Sequence, residues 1–364
     1  MSACTEQPVR SIEVPRPIPL PLSGPSVLAF GADMKNAVCL TSGGSAFLGN
    51  PTGELDDPVA LLASQECASR FERLVGVHPR VVAHDLHPDS RAADEARARA
   101  QRDRLPAVAV QHHHAHAAAC MADNGVREGQ RVIGVCFDGT GYGPDGTIWG
   151  GEFLICDYRE FHRASHLHPV ALPGGDAGIH RPYRMALSWM RHAGIRWTPD
   201  LPPAVAAGPD ERRVLDRQLR ARINTPLTSS MGRLFDAMAS LIGLCHRIAS
   251  EAEAPIALES LASESVMSDD GAYEFERVGG ALDPGPLLRD AAEDLRRGVS
   301  PSVIASRFHR GVARMVVDEC RRLRTAWGIG DVALTGGVWQ NRVLVRMTGP
   351  ALEREGFRVL LHRR

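Results

Sequence analysis

Four histidines fall within five residues, at His112, His113, His114 and His116, just after the short apolar run Ala107–Val110. If a helix opens here, His112 and His116 stand at i and i+4, on one face, with Cβ atoms about 6 Å apart. Two imidazoles at that spacing can share one metal ion, as other helix-borne HxxxH pairs do. The same pattern also serves as a polar helix start with hydrogen-bonded rings, in a chain that has 15 histidines. Two ligands do not complete a site, so a carboxylate or phosphate oxygen must join them. A second candidate centres on Asp138. It ends the apolar run Val132–Phe137 and opens Asp138-Gly139-Thr140-Gly141. Glycines in a tight turn after a strand let backbone N–H groups converge on a phosphate. Asp-Gly turns also occur in plain hairpins. A third candidate, Thr335-Gly336-Gly337, separates the run Asp331–Leu334 from a helix expected near Gln340. Glycine there admits a ligand close to the backbone, and a helix N-terminus favours anions. A tight turn without ligand uses the same residues.

Three smaller clusters carry glycine, charge or hydroxyl near helix starts: Leu172–Asp176 with Gly174, Gly175 and Asp176; Arg181–Arg184; and Thr228–Asp236 with Gly232 and Asp236. Each alone reads as a capped loop, and together they could surround a nucleotide. The elements that must position these groups alternate. Val27–Phe30 and Ala37–Leu40 form a hairpin across the polar turn Ala32–Asn36. Asp57-Pro58 caps a helix, Val81–Ala83 is a strand, 92–102 is helical, Ala107–Val110 is a strand, and 112–121 is a helix stopped by Asn124-Gly125. At Arg131 the plan restarts with Val132–Phe137 and Ile148–Ile155 flanking the glycine-rich connection 138–146. Two glycine-containing hairpins, one opening each half, imply an internal repeat. Helices follow over 182–192, 210–223, 229–247 and 300–327, and Phe357–Leu361 is a last strand. In the third of these Leu234, Met238, Leu241 and Cys245 form a core-facing stripe. Strands alternating with helices call for a largely parallel sheet with crossovers. Residues 1–25 hold six prolines and read as an extended tail, leaving 26–130 and 131–364 as two lobes. The alternation calls for a further helix after residue 361, so the natural chain is expected to continue past Arg364.

Composition narrows the class. With 42 basic and 43 acidic residues in 364, the net charge of −1 excludes affinity built on phosphate neutralisation along nucleic acid. No run of about 18 apolar residues is present to span a membrane. The first 24 residues lack the apolar core of a signal peptide. The eight cysteines form no CxxC pair, so neither a zinc finger nor a compact disulfide framework is indicated. Cys39, Cys136 and Cys156 flank apolar runs and read as buried thiols of a cytoplasmic protein.

Taken in order, these motifs resemble the C-terminal catalytic region of the HypF family, the carbamoyltransferases of [NiFe]-hydrogenase maturation. The matching stretches are Gly31–Asn36 (GADMKN), Ala83–Pro88 (AHDLHP), Gln111–His116 (QHHHAH), Asp138–Phe153 (DGTGYGPDGTIWGGEF), Leu172–Asp176 (LPGGD), Thr228–Asp236 (TSSMGRLFD) and Thr335–Arg342 (TGGVWQNR). The resemblance implies an α/β, two-lobed fold of the actin/hexokinase ATPase type, with duplicated lobes and a nucleotide cleft between them. It further implies transfer of a carbamoyl group from a carbamoyl-adenylate, itself made from carbamoyl phosphate and ATP, to the C-terminal cysteine of a HypE-like acceptor. Dehydration there yields the cyanide ligand of the hydrogenase iron. A divalent metal, iron or zinc, is then expected on His112, His116 and Asp138. Lys35 is expected to neutralise charge on the leaving phosphate. The nucleotide is expected on Gly139, Thr140, Gly141, Gly174, Gly175, Asp176, Gly232, Asp236, Gly336, Gly337 and Asn341. No nucleic-acid or membrane partner is expected.

This sequence departs from the family in three ways. The acylphosphatase, cysteine-rich zinc and adenylate-forming regions have no counterpart in these residues. The family's YEGQAA-like segment reads here Ser250-Glu251-Ala252-Glu253-Ala254-Pro255. The metal-ligating aspartate that the family places after the final strand has no counterpart before Arg364. Two other readings compete: a nucleotide-binding scaffold that performs no chemistry, and an O-carbamoyltransferase acting on a small hydroxylated molecule.

Overall fold

The computed structural model describes residues 16–250, 252–265 and 270–363. Two compact units divide between Val110 and Gln111. In the first, β1 (Ile18–Pro19), β2 (Val27–Phe30), β3 (Val38–Ser42), β4 (Ser45–Leu48), β5 (Val81–Asp85) and β6 (Ala107–Val110) form one sheet in the order β1-β4-β3-β2-β5-β6. The expected hairpin is present, with Leu28 opposite Leu40 and Phe30 opposite Val38. Strand β5 joins β2 in parallel, and β6 joins β5 in parallel. Helices α1 (Pro58–Val75) and α2 (Arg91–Asp103) pack Ala60, Ala68, Phe71, Ala92, Ala96 and Ala100 on the face that carries Leu28, Phe30, Val38, Leu40 and Val82. Asp57 and Ser90 cap them as serine and aspartate caps should. The proline-rich segment is less tail-like than its composition suggests. Ile18 and Pro19 pair with Ala46 and Ser45 at the sheet edge, where a missing N–H is tolerated. Residues 1–15 of that segment lie outside the described residues.

The second unit repeats the plan. Strands β7 (Val132–Tyr142), β8 (Ile148–Cys156) and β9 (Phe161–Leu167) run antiparallel in sequence, and β14 (Asp331–Thr335) and β15 (Arg358–Leu360) add in parallel beside β7. The order β9-β8-β7-β14-β15 reproduces β4-β3-β2-β5-β6 of the first unit, with the same strand directions. The repeat inferred from two hairpins is therefore a repeat of topology. Short strands β10 (Val170–Ala171), β11 (Leu227–Thr228), β12 (Glu276–Val278) and β13 (Ala281–Asp283) extend this sheet.

Helix α3 (His112–Asp123) belongs to the second unit, not to the residue 26–130 lobe in which the sequence placed it. Its Ala117, Cys120 and Met121 pack on Val132, Cys136, Leu154, Cys156, Ala333 and Leu360. The other face of the sheet, with Ile133, Val135, Phe137, Phe153 and Leu334, lies in a larger core. That core also holds residues of α5 (Pro182–His192), α7 (Met231–Leu241) and α10 (Pro301–Trp327). Covered on both faces, β7 reads as a continuous apolar run rather than an alternating one.

The remaining helices are α4 (Asp176–Ile179), α6 (Pro202–Ala221), α8 (Glu253–Ser263), α9 (Gly285–Arg296) and α11 (Arg342–Arg354), with a 3-10 turn at Gly337–Gln340. The helix expected over 210–223 starts earlier, at Pro202, and kinks at Gly208, whose φ of 69° breaks the helix before Pro209. That expected over 229–247 ends at Leu241, so Cys245 falls past the end of the stripe. Of the altered segment 250–255, Glu251 lies outside the described residues, and Glu253 begins α8. Among the described residues no helix is long and apolar enough to cross a membrane.

Candidate functional site

Period-two alternation along β7 sends Val132, Cys136 and then Asp138 toward the face that α3 covers. Helix α3 starts where the sequence placed it, with Gln111 as N-cap accepting from the His114 amide at 2.9 Å. Gln111 Nε2 also donates to the Tyr142 carbonyl at 3.1 Å, tying the helix start to the far end of β7. At the other end of this stretch the Thr335 hydroxyl donates to the His116 carbonyl at 3.2 Å. Between these ties the three expected ligands converge. His116 Nε2 lies 3.1 Å, and His112 Nε2 3.7 Å, from Asp138 Oδ2. One donor atom from each of the three residues falls within 4.8 Å of the others.

The donor set fits a divalent ion. With metal–ligand bonds of about 2.0–2.1 Å, neighbouring ligand atoms stand about 3.0 Å apart in octahedral and 3.4 Å apart in tetrahedral geometry. The His116–Asp138 edge of 3.1 Å falls between those values, and the His112–Asp138 edge of 3.7 Å is about 0.3 Å longer than the tetrahedral one. Two imidazoles and one carboxylate suit iron(II) or zinc, with coordination positions left over. His112 is 18% exposed, His116 35% and Asp138 16%, so the group is sheltered yet reachable. Burial pushes the Asp138 carboxyl up, but hydrogen bonds and charge from His112 and His116 outweigh it and hold it well below the usual carboxylate range. The carboxylate is thus ionised, as a ligand must be. Nearby thiols do not compete: burial pushes Cys120 and Cys156 up to about 12 and Cys136 well above the ordinary thiol value.

Asp138 does not end its strand. Strand β7 continues to Tyr142, and pairing with β8 skips from Phe137 to Gly141, so the DGTG segment is a bulge inside the sheet rather than a turn. The turn itself falls at 143–147, where Gly143 N donates to Thr147 O at 2.9 Å. The bulge aims Asp138: Oδ1 accepts from Gly139 N at 2.8 Å, leaving Oδ2 for the histidines.

Several expected phosphate glycines instead make room for backbone and rings around this bulge. A Cβ at Gly141 would lie 2.5 Å from His113 Cε1 and 2.9 Å from His112 Cδ2. At Gly232 it would lie 2.9 Å from Gly139 Cα, and at Gly336 2.3 Å from the Phe137 carbonyl oxygen. Gly337 stands over Asp138 Oδ1 at 3.1 Å by the same measure. Gly139, Thr140, Gly141, Gly232, Gly336 and Gly337 therefore gather around Asp138.

The other expected residues have different neighbours. Gly174, with φ of 90°, faces the Arg184 guanidinium, Gly175 faces Asn224 Oδ1, and Asp176 opens the four-residue α4. Asp236 is fully buried within α7, 2.9 Å from Arg233 Nε. Asn341 caps α11 through Oδ1, which accepts from the Leu344 amide at 2.8 Å, and its amide meets His309 Nε2 at 2.9 Å. Its side chain is occupied by structure on both sides. Lys35 sits at the exposed tip of the β2–β3 turn in the first unit, with φ of 50°. Its neighbours fix that tip: Asn36 Oδ1 accepts from Ser64 Oγ at 2.9 Å, and Asp33 Oδ1 accepts from the Ala92 amide at 2.8 Å.

Sequence reasoning missed three contributors. His362 Nε2 meets Thr335 Oγ1 at 2.9 Å, on the hydroxyl that also holds His116 O. Its signal is topological, because the carboxyl ends of parallel β14 and β15 share one edge. Glu152 and Ser230 lie inside the WGGE and TSSM stretches, where residue type alone does not mark them. His114, by contrast, is structural, with Nε2 donating to the Asp157 carbonyl at 2.6 Å.

Duplicated α/β units of strand order 3-2-1-4-5, one carrying a His-His-Asp centre against a glycine-lined bulge, define the class. Residues 23–123 match the family described as the HypF Kae1-like domain, and 134–364 match the carbamoyltransferase Kae1-like domain, second subdomain. The chain belongs to the HypF family. It is 42% identical over 351 residues to the carbamoyltransferase HypF of Rhodobacter capsulatus, covering 95% of this chain and 46% of that protein. A carbamoyltransferase HypF homolog of Cupriavidus necator is 36% identical and matches 93% of this chain and 86% of its own. A full-length HypF solved in its phosphate- and nucleotide-bound form superposes with a TM-score of 0.88 at 36% identity, over 95% of this chain and 45% of that one. The crystal structure of T. kodakarensis HypF superposes with a TM-score of 0.87 at 29% identity, over 96% of this chain and 47% of that one. The chain thus spans a little under half the length of the Rhodobacter relative.

Proposed function

We propose that this chain performs the carbamoyl-transfer step: a carbamoyl group passes from carbamoyl-adenylate to a thiolate on the C-terminal cysteine of a HypE-like acceptor. The observation that carries the reading is the convergence of His112, His116 and Asp138 in a HypF-family chain. A divalent iron or zinc ion, which His112, His116 and Asp138 would hold, would supply Lewis-acid polarisation of a carbonyl or phosphate oxygen. The chain's own residues do the rest. Asp138 stays ionised and, anchored at Oδ1 by Gly139 N, keeps Oδ2 turned toward the two histidines. His112 and His116 present ring nitrogens from a helix start that Gln111 and Thr335 lock to the sheet. The thiolate belongs to the acceptor, so no internal nucleophile is required. AMP leaves as the bond between the carbonyl carbon and the phosphate oxygen breaks and the carbon–sulfur bond of the S-carbamoyl (thiocarbamate) product forms.

Lys35 is assigned the neutralisation of charge on the leaving phosphate. It is the single lysine of the chain, every other one of the 42 basic residues being arginine. A chain that uses arginine everywhere else keeps a compact, point-charge ammonium at one exposed, rigidly flanked turn, which favours a chemical role over a solvating one. The nucleotide is assigned to the glycine-lined backbone around Thr140, Gly141 and Gly337, where no net charge is needed.

The test is transfer from preformed carbamoyl-adenylate to a HypE-like acceptor, followed by mass spectrometry of the acceptor's terminal peptide. Carbamoylation dependent on His112 and His116 supports the reading. A protein that binds nucleotide and acceptor but transfers nothing, with or without added iron or zinc, would leave the scaffold reading in its place. Carbamoylation of a small hydroxylated acceptor in preference to the protein thiol would favour an O-carbamoyltransferase.

A further inference from the structure

We infer that Ser230 is a positioning residue for Asp138, set in place by the buried carboxylate of Glu152; the inference deepens the metal-site reading and rests on it. The bulge in β7 takes the carbonyls of Asp138 and Gly139 out of the regular β7–β8 pairing, which skips from Phe137 to Gly141. Those carbonyls still need a donor. Ser230 Oγ supplies it, at 2.8 Å from Asp138 O and 2.6 Å from Gly139 O, sharing one proton between the two. The hydroxyl thus grips the backbone on both sides of the peptide that aims Asp138.

Ser230 is itself held. The preceding Ser229 donates through Oγ to Glu152 Oε1 at 2.5 Å. Glu152 is fully buried, and its remaining acceptor sites are filled by the amides of Gly150 and Gly151, at 3.2 and 3.3 Å, and by Arg163 Nε at 2.6 Å. Arg163 also reaches Ser229 Oγ at 3.1 Å and stacks 4.1 Å over the Trp149 ring. A buried carboxylate with every partner in place is strongly committed to one geometry, because loss of any partner leaves charge or dipole unmatched in low dielectric. Glu152 therefore fixes Ser229, and Ser229 fixes Ser230.

Glycines make the grip possible. A Cβ at Gly150 would lie 2.6 Å from Asp138 O and 3.2 Å from Ser230 Cα, one at Gly151 2.4 Å from Ser229 O, and one at Gly232 2.9 Å from Gly139 Cα. Three glycines on β8 and α7 thus serve one contact between the start of α7 and the bulge. This accounts for the WGGE and TSSMG stretches, which a metal site of three side chains leaves unexplained.

Ser230 also caps α7, accepting from Arg233 N at 3.1 Å, so its loss must be separated from loss of a cap. Ser300 supplies the control, since its hydroxyl caps α10 through Val303 N and otherwise meets Ser302 Oγ. Ser230→Ala, Ser230→Gly and Ser300→Ala are compared, glycine being the mildest replacement at an N-cap. Two readouts are taken: affinity for cobalt(II) by its visible absorption, and amide exchange over residues 138–142 in the metal-free protein. Partners that orient metal ligands change affinity 10–100-fold (roughly) when removed. Both Ser230 variants are expected to weaken cobalt binding about tenfold or more and to speed exchange over 138–142, while Ser300→Ala changes neither. Wild-type exchange in both Ser230 variants, or unchanged affinity in variants of a wild type that binds cobalt, overturns the inference. If wild type binds no cobalt, the metal-site reading falls, and the exchange comparison alone decides whether Ser230 holds the bulge.

Discussion

Replacing Gly336 by alanine distinguishes a glycine that cradles a ligand from one that lets two strands' backbones meet. Gly336 has φ of 98°, and a Cβ there would lie 2.3 Å from the Phe137 carbonyl oxygen and 2.9 Å from its carbon. The conformation alone costs an alanine about 1–2 kcal/mol. The overlap must move β14 or β7 by several tenths of an ångström against a core in which Phe137 stacks on Trp339 and meets Phe153 edge-on. Overpacking of that kind costs about 1–3 kcal/mol more. The sum is roughly 2–5 kcal/mol, or about 5–15 °C in melting temperature for a unit of this size. Gly43→Ala is the matched control: its φ is 56°, with no atom within 4 Å of the added carbon, so it carries only the conformational term of about 1 kcal/mol. Thermal unfolding by circular dichroism, with AMP binding by calorimetry on each folded variant, measures both effects. If Gly336→Ala melts with Gly43→Ala but no longer binds nucleotide, the backbone-fit argument is wrong and the phosphate-cradle expectation for Gly336 is right.

Other outcomes follow from the same geometry. His112→Ala and His116→Ala should each lose cobalt binding yet melt within a few degrees of wild type, because both rings are partly exposed at a helix start. His114→Ala should do the reverse, losing about 1–2 kcal/mol with its bond to the Asp157 carbonyl while keeping metal affinity. Lys35→Arg should transfer carbamoyl markedly more slowly than wild type despite its unchanged charge, and a rate equal to wild type would remove the point-charge argument. Burial pulls the His309 imidazole down to about 4, so below about pH 6.5 the unfolded chain takes up a proton that the folded one refuses. Stability should therefore fall between about pH 6.5 and 4, by roughly 3 kcal/mol from this group, and His309→Gln should flatten that slope in melting temperature against pH. An identical slope in the variant would show that His309 does not set it.

The sequence made some of this legible and hid the rest for physical reasons. The helix start at His112 was readable because an i, i+4 histidine pair and a following Asn-Gly stop are local signals. The duplicated hairpin plan was readable because each half opens on an apolar run, a glycine-bearing turn and a second run. The home of α3 was not: whether a helix packs on the sheet before it or the sheet after it depends on which face lacks cover, and chain order does not encode that. The bulge was hidden too. Asp138-Gly139 looks like a turn, but the turn lies five residues on, and only the donors waiting at Ser230 and the glycines at 150 and 232 make an unpaired stretch tolerable inside a sheet. Phosphate-type glycines were read by residue type alone, whereas several answer to a neighbouring backbone or ring. Asn341 was misleading for a similar reason, since an N-cap and a nucleotide contact call for the same side chain.

The most direct measurement of the central claim is single-turnover carbamoylation of a HypE-like acceptor from preformed carbamoyl-adenylate. The protein is first stripped with chelator and then titrated with iron(II) or zinc, alongside Asp138→Asn treated identically. Activity that is absent after stripping, returns at one metal equivalent in wild type and stays absent in Asp138→Asn at the same metal level is the predicted result. Full activity in the stripped protein, or in Asp138→Asn without added metal, would contradict the assignment of transfer to the His112, His116 and Asp138 centre.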